Sequence, residues 1–201
     1  NFSLSETSVL YYKVNLIEKI LFLSELISKV LRMEIFELKP YRSGFVGFFK
    51  GSLIYITDKK QYNYYGFRGN RALKMNFDKY NKNLIFGEYF SNSGKNSTKR
   101  ENVSIFKFNS NEGLSKLYTF PKNKIRHIHN VIYNNLNDSY IVLTGDYNGE
   151  SKIIQFNSDF SQKKTIANGA QLFRCIEIIC KNDHLIAASD TELAQNKIYK
   201  I

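Results

Sequence analysis

The sequence predicts an all-β fold, a propeller of four-stranded antiparallel blades, on three observations. The first is composition: 16 Phe and 14 Tyr stand against 2 Pro in 201 residues, and aromatic residues favour pleated, half-buried surfaces. The second is a repeat. Ile105-Phe106-Lys107-Phe108-Asn109-Ser110-Asn111 returns 48 residues later as Ile153-Ile154-Gln155-Phe156-Asn157-Ser158-Asp159. The third is that short apolar runs separated by turn residues come four to a repeat, at a period of 42 to 52 residues. That period and strand count mark a propeller blade.

The third strand of each repeat is the clearest. It reads Tyr11–Asn15, Leu53–Ile56, Ile105–Asn109, Ile153–Asn157 and Ile198–Ile201. A second strand precedes the later copies at Phe45–Phe49, Leu84–Phe90, Tyr140–Thr144 and Leu185–Ser189. Before those lies a first strand at Met33–Leu38, Ala72–Phe77, His127–Tyr133 and Phe173–Cys180. A fourth follows at Gln61–Phe67, Leu114–Phe120 and Lys163–Ala167. Turn-forming stretches such as 78–83 and 134–138 separate them. Leu16, Ile20, Leu23, Ile27, Val30 and Leu31 recur at helical spacing instead, which predicts a short amphipathic helix near 16–31. The chain thus reads as a single propeller domain over 1–201, with repeats at about 1–30, 33–69, 72–120, 127–168 and 173–201. About four and a half blades fit a five-bladed ring or part of a larger propeller. Burial of Ile105, Ile153 and Ile198 is expected from their shared place in the repeat.

The bulk numbers exclude several classes. No run reaches the roughly 18 apolar residues of a membrane span, and no signal peptide is visible, which favours a cytoplasmic setting. Cys175 and Cys180, five apart on one strand, are expected on opposite faces and unbridged. The net charge of +11 is dispersed rather than blocked, giving a basic surface open to an acidic partner. No nucleic-acid motif is present.

The segments 109–117 and 157–165, each following a third strand, resemble degenerate Asp-boxes, with Ser110, Glu112, Leu117 and Asp159 in matching places. From Asn83 onward the chain resembles the bacterial sialidase-like (BNR-repeat) propeller superfamily, through Gly87–Phe90, Arg126–His129, Thr144–Asp146 and Gln195–Tyr199. That resemblance implies a carbohydrate-active propeller. The Phe/Tyr-Arg-Ile-Pro stretch that opens the sialidase arginine set is absent, and the family's catalytic roles are not carried over.

Antiparallel pairing puts the start of each first strand and the end of each second strand on one rim, where residues from several blades converge. Arg126, His127, His129 and Arg174 stand at first-strand starts; Glu88, Asp146 and Asp190 at second-strand ends; Gln195 in a following loop. Two functions follow. In the first, Arg126, His129, Arg174, Asp190 and Gln195 bind an anionic saccharide, with Glu88 and Asp146 as candidate acid and base. In the second, the propeller is a non-enzymatic scaffold for a protein or polyanion, and the carboxylates pair with arginine. No cofactor is required by either; the His127-x-His129 spacing permits a divalent metal.

Overall fold

The computed structural model describes residues 34–80, 82–93 and 99–201. The repeat expected over 1–30 and the helix expected near 16–31 lie outside the described residues. The fold is a β-propeller of four-stranded antiparallel blades. The chain divides into two compact units, 1–65 and 66–201.

The first unit contributes one blade: β1 (Phe36–Tyr41), β2 (Gly44–Phe49), β3 (Ser52–Thr57) and β4 (Gln61–Tyr64), hydrogen-bonded in chain order. Phe49, Ile54 and Ile56 form its buried cluster. Tyr55 stacks on Tyr62, with ring centroids 6.0 Å apart, and meets the Tyr41 ring edge-on.

The second unit holds three blades. One is β5 (Met75–Phe77), β6 (Leu84–Gly87), β7 (Val103–Asn109) and β8 (Gly113–Phe120). The next is β9 (His127–Asn134), β10 (Ser139–Gly145), β11 (Lys152–Asn157) and β12 (Lys163–Asn168). The last has three strands, β13 (Cys175–Cys180), β14 (Leu185–Ser189) and β15 (Ile198–Lys200). The whole of β10 is buried because a blade lies against each of its faces. Tyr140 and Val142 join the core shared with β6 and β7, while the alternate residues Ile141 and Leu143 join the core shared with β13 and β14. This two-residue alternation between two apolar surfaces is why the strand reads as a continuous hydrophobic run.

Polar groups fasten the inner strands to one another. Asn76 Nδ2 donates to Asn130 Oδ1 at 2.6 Å and to Val131 O at 2.9 Å; Asn130 Nδ2 donates in turn to Ile176 O at 2.9 Å. Asn130 is fully buried, so these bonds answer polar atoms that water cannot reach. Gly87 permits close approach of β6 to β9, since a Cβ there would lie 2.2 Å from Ile128 Cγ2.

Three inner strands carry an extra residue. Pairing skips between Phe36 and Lys39 in β1, at His129 in β9, and between Cys175 and Ile178 in β13. Such a bulge moves following side chains to the opposite face. It corrects one expectation: Cys180 packs against the same core cluster as Cys175 rather than on the other face. Both thiols are free. A second correction concerns Ile198. Ile105 and Ile153 are buried third-strand residues, but Ile198 at the start of β15 is 80% exposed.

Candidate functional site

Gly145 closes β10 with φ of +139°, and a Cβ there would lie 2.7 Å from Ser151 Cα. Only glycine fits this conformation without strain, and it delivers the next residue, Asp146, to the starts of β9 and β13. Four side chains converge on that carboxylate. Arg126 Nη1 lies 2.5 Å from Oδ2, His127 Nε2 3.1 Å from Oδ2, His129 Nε2 3.2 Å from Oδ1, and Arg174 Nε 3.3 Å from Oδ1. The bulge at His129 helps to set this arrangement. His129 and Asn130 both reach toward β13, where His129 Nδ1 lies 2.9 Å from Cys175 O. Both histidines are buried, at 3% and 2% exposure. The Tyr89 ring packs against His127, centroids 4.3 Å apart.

Burial by itself would raise the Asp146 carboxyl, but hydrogen bonds and charge from His127 and His129 outweigh it and hold the group well below the usual carboxylate range. Burial pushes His127 toward its neutral form, the Asp146 contact opposing it. Those two tendencies pull against each other. The direction for His127 is the firmer, because Arg126 and Arg174 already compensate the Asp146 charge and a further buried cation there is costly.

Glu88 occupies the corresponding place after β6 but has different partners. Its Oε1 accepts from the Arg68 backbone N–H at 2.9 Å and Arg68 Nε at 3.2 Å. Its Oε2 accepts from Arg68 Nη2 and the Ser104 backbone N–H, both at 2.8 Å. Glu150 accepts from Arg100 Nε at 2.5 Å. Arg100 and Arg126 both lie over the Tyr147 ring, at 5.6 and 5.3 Å from its centroid. Arg126 Nε and Glu150 Oε2 are buried without a hydrogen-bond partner among the described residues.

Thus Arg126, His127, His129, Asp146 and Arg174 come together, and Glu88 is held elsewhere by Arg68 and Ser104. Asp190 meets Arg174 through the backbone, its N–H donating to Arg174 O at 2.7 Å; the Asp190 and Gln195 side chains are exposed. Sequence reasoning missed Arg68 and Arg100, which lie outside the strands, and the aromatic partners Tyr89 and Tyr147. A signal for the tyrosines was present: Gly87-Glu88-Tyr89 and Gly145-Asp146-Tyr147 are the same glycine–acid–tyrosine triplet.

No protein-family profile matches the chain, and no curated protein matches it. The sialidase-like and Asp-box readings therefore gain no support. Among solved structures, the chain is similar to oligopeptidase B from Leishmania major at 13% identity, with a TM-score of 0.50. The match covers 83% of this chain and 24% of that one, so this chain spans about a quarter of the larger protein. At that identity the likeness shows the propeller fold alone. No helix among the described residues is long and apolar enough to cross a membrane.

Proposed function

We propose that this propeller is a non-enzymatic interaction module whose basic surface holds an acidic partner. One observation carries the reading. Glu88, Asp146 and Glu150, the carboxylates that could have served as facing acid and base, each lie in an ion pair with arginine. Glycoside hydrolysis asks for two carboxyl groups acting on one bond, one of them free to give its proton. The same pairing engages Arg126 and Arg174, the two guanidinium groups an anionic saccharide would need.

The partner's chemistry is read from three lysines, Lys152 and Lys163 of the β9–β12 blade and Lys124 just before it. Lys152, at the start of β11, has its ammonium pKa lowered first by burial and then by Lys124 and Lys163, with Glu150 opposing them. Like charges repel one another, and an acidic surface laid over these lysines would add to the relief that Glu150 gives. The Lys163 ammonium lies over the Tyr118 and Phe120 rings, 4.7 and 5.2 Å from their centroids, and donates to Tyr118 Oη, so the two rings lie beneath the charge.

The test uses poly-L-glutamate as probe. The 201-residue chain is expected to bind it with an affinity that falls steeply with salt. The double change Lys124→Glu and Lys163→Glu is expected to weaken binding by about tenfold or more. Salt-insensitive binding, or binding unchanged in the double variant, would overturn the reading. So would turnover of a fluorogenic sialoside that Asp146→Asn abolishes.

A further inference from the structure

The three groups at the centre of the Asp146 cluster have the geometry of a metal site. His127 Nε2 and His129 Nε2 stand 3.1 Å apart, and each is 3.1 to 3.2 Å from an Asp146 oxygen. Ligand atoms held at about 2.1 Å from one tetrahedral or octahedral ion stand roughly 3.0–3.4 Å from one another. The two histidines meet different oxygens of the carboxylate, and with one ligand atom taken from each residue the three atoms all lie within 4.8 Å of one another, close enough to converge on a single ion.

The protons point the same way. Cys175 O can only accept, so His129 Nδ1 carries a hydrogen, and Nε2 is the ring nitrogen left to bind a metal. His127 Nδ1 faces another carbonyl, Phe90 O, at 3.4 Å. A backbone carbonyl behind each imidazole, fixing the ring so that Nε2 faces inward, is the usual support of a metal-binding histidine.

We propose that His127, His129 and Asp146 bind a single divalent first-row transition-metal ion. Two imidazoles and one carboxylate suit Zn²⁺, Co²⁺ or Fe²⁺ rather than Ca²⁺ or Mg²⁺, which prefer all-oxygen sites. Three protein ligands leave positions on the ion for water or a further ligand. Arg126 and Arg174 use other lone pairs of Asp146, since a carboxylate has about four acceptor sites. Their charge opposes a dication, which makes the ion exchangeable rather than permanently held. The site ties β9 to the end of β10. It is independent of Lys124, Lys152 and Lys163, so either proposal can fail without the other.

The experiment takes the full chain without a histidine tag, stripped with chelator, and titrates it with Zn²⁺ in a calorimeter and with Co²⁺ in a spectrophotometer. One ion per chain is expected, with a visible Co²⁺ band of mixed nitrogen and oxygen ligation and a melting temperature that rises with ion concentration. His129→Ala and Asp146→Asn are each expected to lose more than the roughly 10–100-fold in affinity that removing a group behind a ligand costs. His184→Ala, which changes the third histidine of the chain, is expected to bind as the wild type does. Wild-type protein that takes up no ion, or gives only the spectrum of hydrated Co²⁺, would overturn the proposal even if the variants fail to fold. Undiminished binding by a folded His129→Ala chain would do so equally.

Discussion

Glu88 and Asp146 invite comparison because the fold puts them in the same place. Each follows a glycine at the end of a blade's second strand, each precedes a tyrosine, and each carries an arginine partner. Their other partners differ in kind. Glu88 accepts from two backbone N–H groups as well as one guanidinium and is 3% exposed. The Asp146 carboxylate is held instead by side chains, two arginines and two histidines. Backbone donors are fixed by the chain path and can do nothing but hold a negative charge. Histidine nitrogens can carry a proton, release it, or give their lone pair to a metal. The first carboxylate is therefore a fastening and the second has chemical options, although both read alike as acids ending a strand.

The largest expected effect tests this contrast directly. Glu88→Gln replaces one acceptor oxygen with an NH₂ group that faces a donor. A buried donor left unsatisfied costs about 1–3 kcal/mol, more beside a charge, so a loss of about 3 kcal/mol is expected in urea denaturation. Asp146→Asn, read the same way, is expected to cost about 1–2 kcal/mol, because its partners are all side chains, which can turn to other acceptors or to water. If Asp146→Asn proves the more damaging of the two, the assignment of fastening and chemical site is reversed.

The two glycines sharpen the comparison next. Gly87→Ala drives a methyl into Ile128 of the neighbouring blade, which must shift; overpacking of this kind costs about 1–3 kcal/mol. Gly145→Ala meets both a strained φ and the Ser151 backbone, so it displaces Asp146 itself. A similar loss of stability is expected from both, but only Gly145→Ala is expected to abolish Co²⁺ binding.

Why the repeat was legible and the site only half so follows from the bulges. Alternation along β10 and β11 is a strict period of two, and the period survives in the sequence as apolar runs. A bulge leaves no such trace. The extra residue in β13 turned the spacing between Cys175 and Cys180 into a false guide to their faces. The one in β9 let His129 and Asn130 both serve the next blade. The convergence of Arg126, His127, His129, Asp146 and Arg174 could be anticipated, since all sit at strand ends on one rim. Arg68 and Arg100 could not, because loop positions carry no period. With them went the distinction between Glu88, held partly by backbone donors, and Asp146, held by side chains.

The smallest effect is expected at Arg174, and Arg68 is its counterpart at Glu88. Arg174 meets Asp146 through one long contact at 3.3 Å, and Asp146 keeps Arg126 and both histidines without it. Arg174→Ala is therefore expected to cost about 0.5–1 kcal/mol, the range of a partly exposed ion pair, or a fall of about 1–4 °C in melting temperature for a chain of this size. Arg68 binds Glu88 through two nitrogens and also lies over the Phe90 ring, 4.5 Å from its centroid. Its removal leaves a buried carboxylate with only its two backbone donors. Breaking a buried pair costs about 3–5 kcal/mol; the Arg68 side chain is 38% exposed, so about 2–3 kcal/mol is expected for Arg68→Ala. Chemical denaturation of the two variants side by side ranks them. Equal losses would mean that Asp146 depends on each of its partners as Glu88 does, and the difference between the two carboxylates would disappear.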